Sequence, residues 1–173
     1  MPYKDLVNKL TRCPFCDIKQ PIIIHKKTAF LTPSIAPYYK HHLLVIPKRH
    51  IISFLDMTRN EYRDIIDLLK TGGETIRQLG HNNFSVLIRD GSNDAKSVEH
   101  LHCHIIPNVK IGHLKEKEET RKVISKKEFS LVCGELKFVL NGANNNLMDN
   151  SAGNVIPKSG FKKFTRPARE RLP

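Results

Sequence analysis

Three histidines at alternate positions are the most reactive side chains in this sequence. His100, His102 and His104 are separated by single apolar residues in the run HLHCHII, residues 100–106. Because successive side chains of a β-strand point to opposite faces, a strand would aim the three imidazoles one way and the apolar side chains into a core. The unperturbed pKa of imidazole lies near neutrality, so such a row suits nucleophilic attack, proton transfer or metal binding. The alternation therefore favours a functional strand over a core strand with incidental histidines.

The four cysteines are a second source of chemistry. Cys13 and Cys16 form a C-x-x-C pair, which is typical of a zinc site or a redox couple and also arises by chance. A redox motif is expected beside a thioredoxin-like βαβ pattern, and none follows here. Cys103 and Cys133 lie in apolar stretches and are expected to be small core residues.

Length and charge limit the classes of function. A chain of 173 residues forms one domain with a real core, and its formal charge of +12 favours anionic partners such as nucleotides, nucleic acid or acidic surfaces. No apolar run approaches the length of a membrane span, and the N-terminus has no signal-peptide core. We therefore expect a cytoplasmic protein that does not enter a membrane.

The patterns along the chain predict an α+β fold, an antiparallel sheet with one long helix packed on it. Thr58 and Glu61 fit a capping box, so the helix should begin there; Gly72 and Gly73 would weaken or kink it, and Gly80 can end it. The predicted extended segments are residues 22–24, 28–32, 42–46, 84–89 and 98–106.

The C-terminal third differs in character from the rest. Residues 1–125 are expected to form the catalytic domain, and residues 126–140 a possible hairpin that turns near Gly134. Residues 141–173 are rich in asparagine and then basic, which is typical of a mobile tail.

The sequence resembles the histidine-triad (HIT) superfamily of nucleotide hydrolases and transferases, in its zinc-containing branch. The resemblance depends on the HLHCHII run, on the block HLLVIPKRH at residues 42–50, and on the C-x-x-C pair, all in the expected order. Together they cover residues 13 to 108. The resemblance implies a HIT-like sheet and helix, and a homodimer in which two sheets join into one.

A mechanism is also implied by the resemblance. His102 would attack the α-phosphorus of a dinucleoside polyphosphate or nucleoside phosphoramidate, form a covalent nucleotidyl-histidine, and release a nucleoside monophosphate. His100 and His104 complete the catalytic set. His42 would lie beside the phosphate, and Ser97 would donate a hydrogen bond to the phosphate or the leaving group.

The resemblance gives the C-x-x-C pair a role in metal binding. In the zinc-containing branch the ligands would be Cys13, Cys16, His50 and His100. Four nitrogen and sulfur ligands leave no open position, so the zinc would be structural. The alternative is a metal-free site in which His100 hydrogen-bonds only to backbone.

Two basic residues stand where the family usually has others. Arg89 replaces an asparagine at the end of the strand before the triad, and Lys96 replaces a glutamine. Both would add positive charge beside the phosphate and favour a more anionic substrate, unless they face solvent. Residues 32–34 lack the acidic side chain that family members commonly use to bind ribose.

Two other functions remain open at this stage. One is a nucleic-acid-end processing enzyme, similar to the deadenylating branch of the family, which the basic residues 158–173 would serve. The other is a binding or scaffold protein with weak catalysis. The intact triad favours a small-molecule nucleotide substrate over both.

Overall fold

The computed structural model describes residues 3–90, 97–109 and 122–149. Five antiparallel strands are present: β1 Ile24–His25, β2 Ala29–Pro33, β3 Leu43–Pro47, β4 Phe84–Ile88 and β5 Cys103–Pro107. They form one sheet in the order β1-β2-β3-β5-β4, so that β3 and β5 lie at its centre. The predicted α+β class, an antiparallel sheet with a long helix packed on it, is confirmed.

Strand register determines which side chains lie on each face of the sheet. Leu43 pairs with Ile105, and Val45 with Cys103, and all four side chains are fully buried in the main core. Leu44 pairs with His104 between those pairs, so both project to the other face. The apolar positions therefore hold the sheet against the helices while the alternate positions carry the triad.

The long helix α2 spans Arg59–Gln78 and packs across β2, β3 and β5. Its predicted capping box is present, because the Thr58 side chain accepts from the backbone N–H of Glu61 and the Glu61 side chain accepts from that of Thr58. Gly80 ends the helix in the left-handed region, at φ +87°.

Gly72 and Gly73 do not interrupt α2, contrary to the expected weakening or kink. A Cβ atom on Gly72 would lie 2.5 Å from Cδ1 of Ile105, and one on Gly73 would lie 2.6 Å from the ring of Phe84. The two glycines are therefore places where the helix approaches the sheet closely, and core packing compensates for their low helix propensity.

The predicted hairpin over residues 126–140 is wrong. Helix α3 occupies Lys126–Asp149, and it also includes residues 141–149, which were expected to belong to a mobile tail. Its buried side chains are Phe129, Val132, Cys133 and Leu136. This spacing follows a helical period and gives α3 one apolar face, which packs against α2 and β2. Residues 150–173 lie outside the described part of the chain.

The triad segment also differs from the expectation of a strand over residues 98–106. Strand β5 begins only at Cys103, so His100 and His102 precede it. The alternation survives because the backbone N–H of Leu101 donates to the carbonyl of Ile51, at 2.7 Å, and the Leu101 side chain is fully buried. Strand β4 ends at Ile88, one residue before Arg89.

Two short elements complete the fold: α1 at Tyr3–Val7 and a 3₁₀ turn at Phe54–Asp56. Within the described ranges, every helix is too short or too polar to cross a lipid bilayer.

Glu61 gives a testable pH dependence of stability. Arg49 donates two hydrogen bonds to this buried carboxylate, at 3.0 and 2.9 Å, and lowers its pKa from 4.5 to about 2, with help from Thr58. A carboxyl whose pKa is lowered on folding stabilises the fold above the unfolded pKa, and this contribution is lost as pH falls through the folded pKa. Glu61→Gln should lower the free energy of unfolding by ~1 kcal/mol at neutral pH, because water screens the half-exposed Arg49.

The measurement is urea unfolding of wild type and Glu61→Gln from neutral pH downward. The difference between them should stay constant above pH 4.5 and shrink between pH 4.5 and about 2. Glu74→Gln, at an exposed position of the same helix, is the matched control. A difference that does not change with pH would contradict the assignment of the stabilisation to the Glu61 charge.

Candidate active site and metal centre

A pocket lies on the face of the sheet to which Leu44 and His104 project. Its volume, open mouth included, is about 870 Å³, and four predicted site residues line it: His102, His104, Arg89 and Ser97. His42 lies directly behind His104, whereas Lys96 falls outside the described residues. Five of the predicted catalytic and substrate-binding residues therefore meet at one place.

His102 is held in a single orientation. Its Nδ1 lies 2.8 Å from the carbonyl oxygen of His100, which can only accept, so Nδ1 carries the proton and donates. The lone pair of the neutral ring is then on Nε2. Phe15 packs edge-on against the ring, with centroids 5.1 Å apart, and fixes its plane. The backbone thus provides an oriented nitrogen nucleophile within the pocket.

His42 and His104 form a hydrogen-bonded pair beside it. The backbone N–H of Tyr38 donates to Nδ1 of His42, at 3.3 Å, so the proton of the neutral His42 ring is on Nε2. This Nε2–H donates to Nδ1 of His104, at 2.9 Å. The proton of His104 is consequently on its own Nε2. The His104 ring, which carries this N–H donor, lies beside the His102 ring, with the two ring centroids 4.7 Å apart.

Several pocket residues were not identified from the sequence. Tyr3, Leu6 and Leu10 form one wall, and the hydroxyl of Tyr3 hydrogen-bonds Oγ of Ser97 at 3.1 Å. Tyr38 lines the pocket opposite them and accepts from Arg89 through its hydroxyl, at 3.4 Å. Nothing in the spacing of the N-terminal residues indicates this wall. Phe15 also lines the pocket, and its position between the two cysteines of the C-x-x-C pair could have identified it.

The described residues that line the pocket include a basic side chain and no acidic one. Arg89 lines it, and its guanidinium donates to the hydroxyl of Tyr38. Among the described residues that line the pocket none is acidic, and Ser34 occupies the segment where a ribose-binding carboxylate was missing from the sequence. The surroundings of His102 and His104 therefore suit a phosphate group.

A second cluster lies at the N-terminal end of the triad segment, around His100. One ligand atom from each of Cys13, Cys16, His50 and His100 lies within 4.8 Å of all the others. Nδ1 of His100 is 3.4 Å from Sγ of Cys13 and 3.5 Å from Sγ of Cys16, and Nδ1 of His50 is 3.2 Å from Sγ of Cys16. The four residues predicted as metal ligands are therefore close enough to share one ion.

The orientation of His100 fits a metal ligand. Its Nε2 donates to the carbonyl oxygen of Pro47, at 3.0 Å, so the lone pair of the neutral ring is on Nδ1 and faces the two sulfur atoms. Burial lowers the pKa of His100, which favours the neutral ring that a metal requires. Burial and the neighbouring Cys13 raise the pKa of the Cys16 thiol, so two thiolates here need a cation between them.

His100 and His41 are both buried next to the pocket without lining it. The fully buried ring of His100 faces the cysteines, so its contact with His102 is made through its backbone carbonyl. Only 6% of the surface of His41 is accessible. Its ring contacts His81 and Glu135, a partner on α3 that no local pattern could indicate.

One known protein family matches the chain. The model of the HIT domain family matches residues 16–111, more than half of the sequence, and the chain belongs to this family. The match begins at Cys16, so helix α1 and the N-terminal wall of the pocket lie outside it. Helix α3 also lies beyond its end.

Sequence relatives share this segment at moderate identity. An uncharacterised HIT-like protein of Methanocaldococcus jannaschii is 29% identical over 60% of this chain and 89% of its own length. The adenosine 5'-monophosphoramidase of Schizosaccharomyces pombe is 34% identical over 55% of this chain and 73% of its own. A bis(5'-adenosyl)-triphosphatase of Dictyostelium discoideum is 28% identical over 56% and 66%, respectively.

Solved structures share the fold. A zinc-bound histidine triad family protein from Mycobacterium smegmatis superposes with a TM-score of 0.61 at 22% identity, over 78% of this chain and 96% of that one. A histidine triad nucleotide-binding protein from Sulfolobus tokodaii gives a TM-score of 0.65 at 19% identity, over 79% and 97%. The HIT-like fold predicted from the sequence is confirmed.

Proposed function

We propose that this protein is a nucleotide hydrolase or transferase that acts through a covalent nucleotidyl-histidine on His102. The observation that carries the proposal is the hydrogen bond from Nδ1 of His102 to the carbonyl of His100, which leaves the Nε2 lone pair of a pocket-lining ring as the nucleophile. Two relatives named as nucleotide hydrolases support the class of reaction.

The reaction has two displacement steps at phosphorus. In the first, Nε2 of His102 forms a bond to the α-phosphorus, and the bond from phosphorus to the leaving oxygen or nitrogen breaks. In the second, water attacks the phosphorus, the bond to Nε2 breaks, and a nucleoside monophosphate leaves. The neutral ring is then restored for the next cycle.

The neighbouring groups stabilise the charge that develops on the phosphoryl oxygens. His104 offers Nε2–H, because its Nδ1 accepts from His42, and Arg89 contributes a positive charge from the pocket wall. Phosphoryl transfer depends mainly on such positioning and electrostatics. Ser97 contributes a hydroxyl at the pocket edge, where it now contacts Tyr3.

The substrate class follows from the charge of the pocket. Arg89 and the absence of an acidic side chain among the described lining residues favour a dinucleoside polyphosphate or a nucleoside phosphoramidate. The names of the relatives include one hydrolase of each kind. The nucleic-acid-end alternative depends on residues 158–173, outside the described segments, and it stays a prediction together with the scaffold alternative.

We also propose that the metal centre holds a structural zinc ion. Cys13, Cys16, His50 and His100 would supply all four ligands, and a relative by fold is zinc-bound. Such an ion would link separate segments of the chain and would take no part in the reaction, because its four protein ligands leave no coordination position for substrate. His100 would connect it to the reaction, since its ring would bind the metal and its carbonyl accepts the hydrogen bond from His102.

The predicted homodimer has support at one sheet edge. Strand β4 is the last strand of the sheet, and Val86 and Ile88 on it are 47% and 38% exposed. Pairing of two β4 edges would cover these side chains and join the sheets. The homodimer and the cytoplasmic location both remain proposals.

A substrate panel tests the proposed function. Wild-type protein is incubated with adenosine and guanosine 5'-phosphoramidates and with the corresponding dinucleoside triphosphates, and release of nucleoside monophosphate is followed by chromatography. Release from at least one substrate is expected. Arg89→Gln should raise KM more for a triphosphate than for a phosphoramidate. No release from any substrate by folded, metal-loaded protein would contradict the proposal.

A further inference from the structure

A second chain of hydrogen-bonded histidines lies beside the active site and does not line its pocket. His41 Nδ1 is 2.7 Å from Nε2 of His81, and His41 Nε2 contacts a carboxylate oxygen of Glu135. Nδ1 of His81 is 3.0 Å from Nδ2 of Asn108. The other carboxylate oxygen of Glu135 accepts from Lys40, at 2.8 Å. We call these five residues the His41 network.

The network has a consistent arrangement of protons with both rings neutral. A carboxylate only accepts, so Nε2 of His41 donates to Glu135 and Nδ1 of His41 accepts from Nε2–H of His81. Nδ1 of His81 then accepts from the amide of Asn108. Burial lowers the pKa of His81, and the contacts with His41 and Lys40 lower that of Glu135, in agreement with a neutral His81 ring and a charged carboxylate.

These residues connect four separate parts of the fold. His81 follows α2, and its backbone N–H donates to the carbonyl of Ile76. His41 precedes β3, Asn108 follows β5, and Glu135 lies in the middle of α3. Because β3 and β5 are antiparallel neighbours, the start of one and the end of the other meet at the same edge of the sheet.

The backbone at two of these residues is strained. His41 has φ +65° and Asn108 has φ +54°, both in the left-handed region. Asparagine tolerates this conformation better than histidine does, and such strain persists only where the surroundings enforce it. At His41 the enforcing contacts are those of its buried ring with His81 and Glu135.

The strained residue directly precedes His42. The backbone N–H of His42 donates to the carbonyl of Tyr39, at 3.1 Å, and the backbone N–H of Tyr38 donates to the His42 ring. The turn at residues 38–42 therefore sets both the place and the tautomer of His42. A change of φ at His41 would rotate the chain at this turn and lengthen the bond from His42 to His104.

We propose that Glu135 is a positioning residue for the reaction. Through the ring of His41 it fixes the turn that orients His42, and His42 in turn orients His104 through their hydrogen bond. The proposal rests on the proposed function of the His102 site. It assigns a role in catalysis to helix α3, which lies outside the matched family segment, residues 16–111.

The test compares substitutions on α3 by kinetics and by NMR of the imidazole nitrogens. Glu135→Ala removes the acceptor for His41, Glu135→Gln keeps an acceptor oxygen, and Lys137→Ala changes an exposed residue two positions away. His41→Ala removes the ring that holds the left-handed backbone and puts a residue there that disfavours this conformation. Glu135→Ala and His41→Ala should lower kcat about tenfold and change KM by less than about twofold.

Glu135→Gln should recover part of the lost kcat, and Lys137→Ala should behave as wild type. The ¹⁵N signals of His42 and His104 should move in Glu135→Ala and stay in place in Lys137→Ala. Unchanged kcat and unchanged His42 signals in folded Glu135→Ala or His41→Ala protein would overturn the proposal. If wild type turns over no substrate, the NMR comparison still tests the positioning, so failure of the proposed function is distinguished from failure of this one.

Discussion

Replacement of His102 by alanine is expected to lower kcat for nucleoside monophosphate release by roughly 10³-fold or more. The substitution removes the atom that would bond to phosphorus. Nδ1 of His102 is fixed by the carbonyl of His100, whereas Nδ1 of His104 accepts from His42. The measurement is steady-state release from the best substrate of the panel.

Binding must be measured in parallel, because loss of the pocket would also abolish turnover. We expect His102→Ala to remain folded and to bind the product nucleoside monophosphate by calorimetry with little loss of affinity. Tyr38→Phe, which removes the hydroxyl that contacts Arg89 and leaves the backbone N–H to His42, should keep most of the activity. Turnover by His102→Ala at a rate near that of wild type would contradict the assignment of the nucleophile.

Removal of the metal ligands is expected to cause the largest loss of stability. The double substitution Cys13→Ser and Cys16→Ser should lower the free energy of unfolding by about 4 kcal/mol when the wild type is measured with zinc at about a thousand times its dissociation constant. The reason is that the ion binds the folded arrangement of four ligands from three separate segments. Unfolding by urea, with and without a chelator, measures the change.

The same experiment contains a matched cysteine control. Cys133 is buried on α3 and does not belong to the metal cluster, so Cys133→Ala should keep one equivalent of zinc and lose little stability. Metal content by mass spectrometry should fall to zero in the double variant alone. Wild-type protein purified with zinc that contains no metal, or whose stability a chelator leaves unchanged, would contradict the proposed zinc site.

Parts of the fold can be predicted where a local side-chain pattern is tied to one backbone conformation. Thr58 and Glu61 identify the start of α2 because capping is local to one turn of chain. The alternation from Leu101 to Ile105 identifies the positions that belong to the main core, although β5 starts only at Cys103. Extended backbone outside the hydrogen-bonded ladder keeps the same alternation, so the pattern does not reveal where pairing begins.

A glycine at position 134 favours the predicted hairpin, yet helix α3 continues through it. A Cβ atom at this position would meet nothing within 4 Å, so the glycine lies on the exposed side of the helix and only lowers its propensity. The spacing of Phe129, Val132, Cys133 and Leu136 fits a helical period, and this signal outweighs the glycine. Periodicity over the longer window would have given the correct element.

The candidate site was predictable in composition but not in arrangement. The two cysteines, His50 and His100 were named from motifs, and they do meet. The tautomers of His42, His102 and His104 depend on the carbonyl of His100 and the N–H of Tyr38, which are backbone groups that no side-chain pattern reports. The burial of His41 likewise depends on Glu135, nearly a hundred residues away.

The stereochemistry at phosphorus tests the covalent intermediate most directly. A substrate with a chiral α-phosphorothioate is hydrolysed in heavy-oxygen water, and the configuration of the released nucleoside phosphorothioate is determined. Attack by His102 followed by attack by water comprises two in-line displacements, each with inversion, so the account predicts net retention. Net inversion would show that water displaces the leaving group in one step, and it would contradict a nucleotidyl-His102 intermediate.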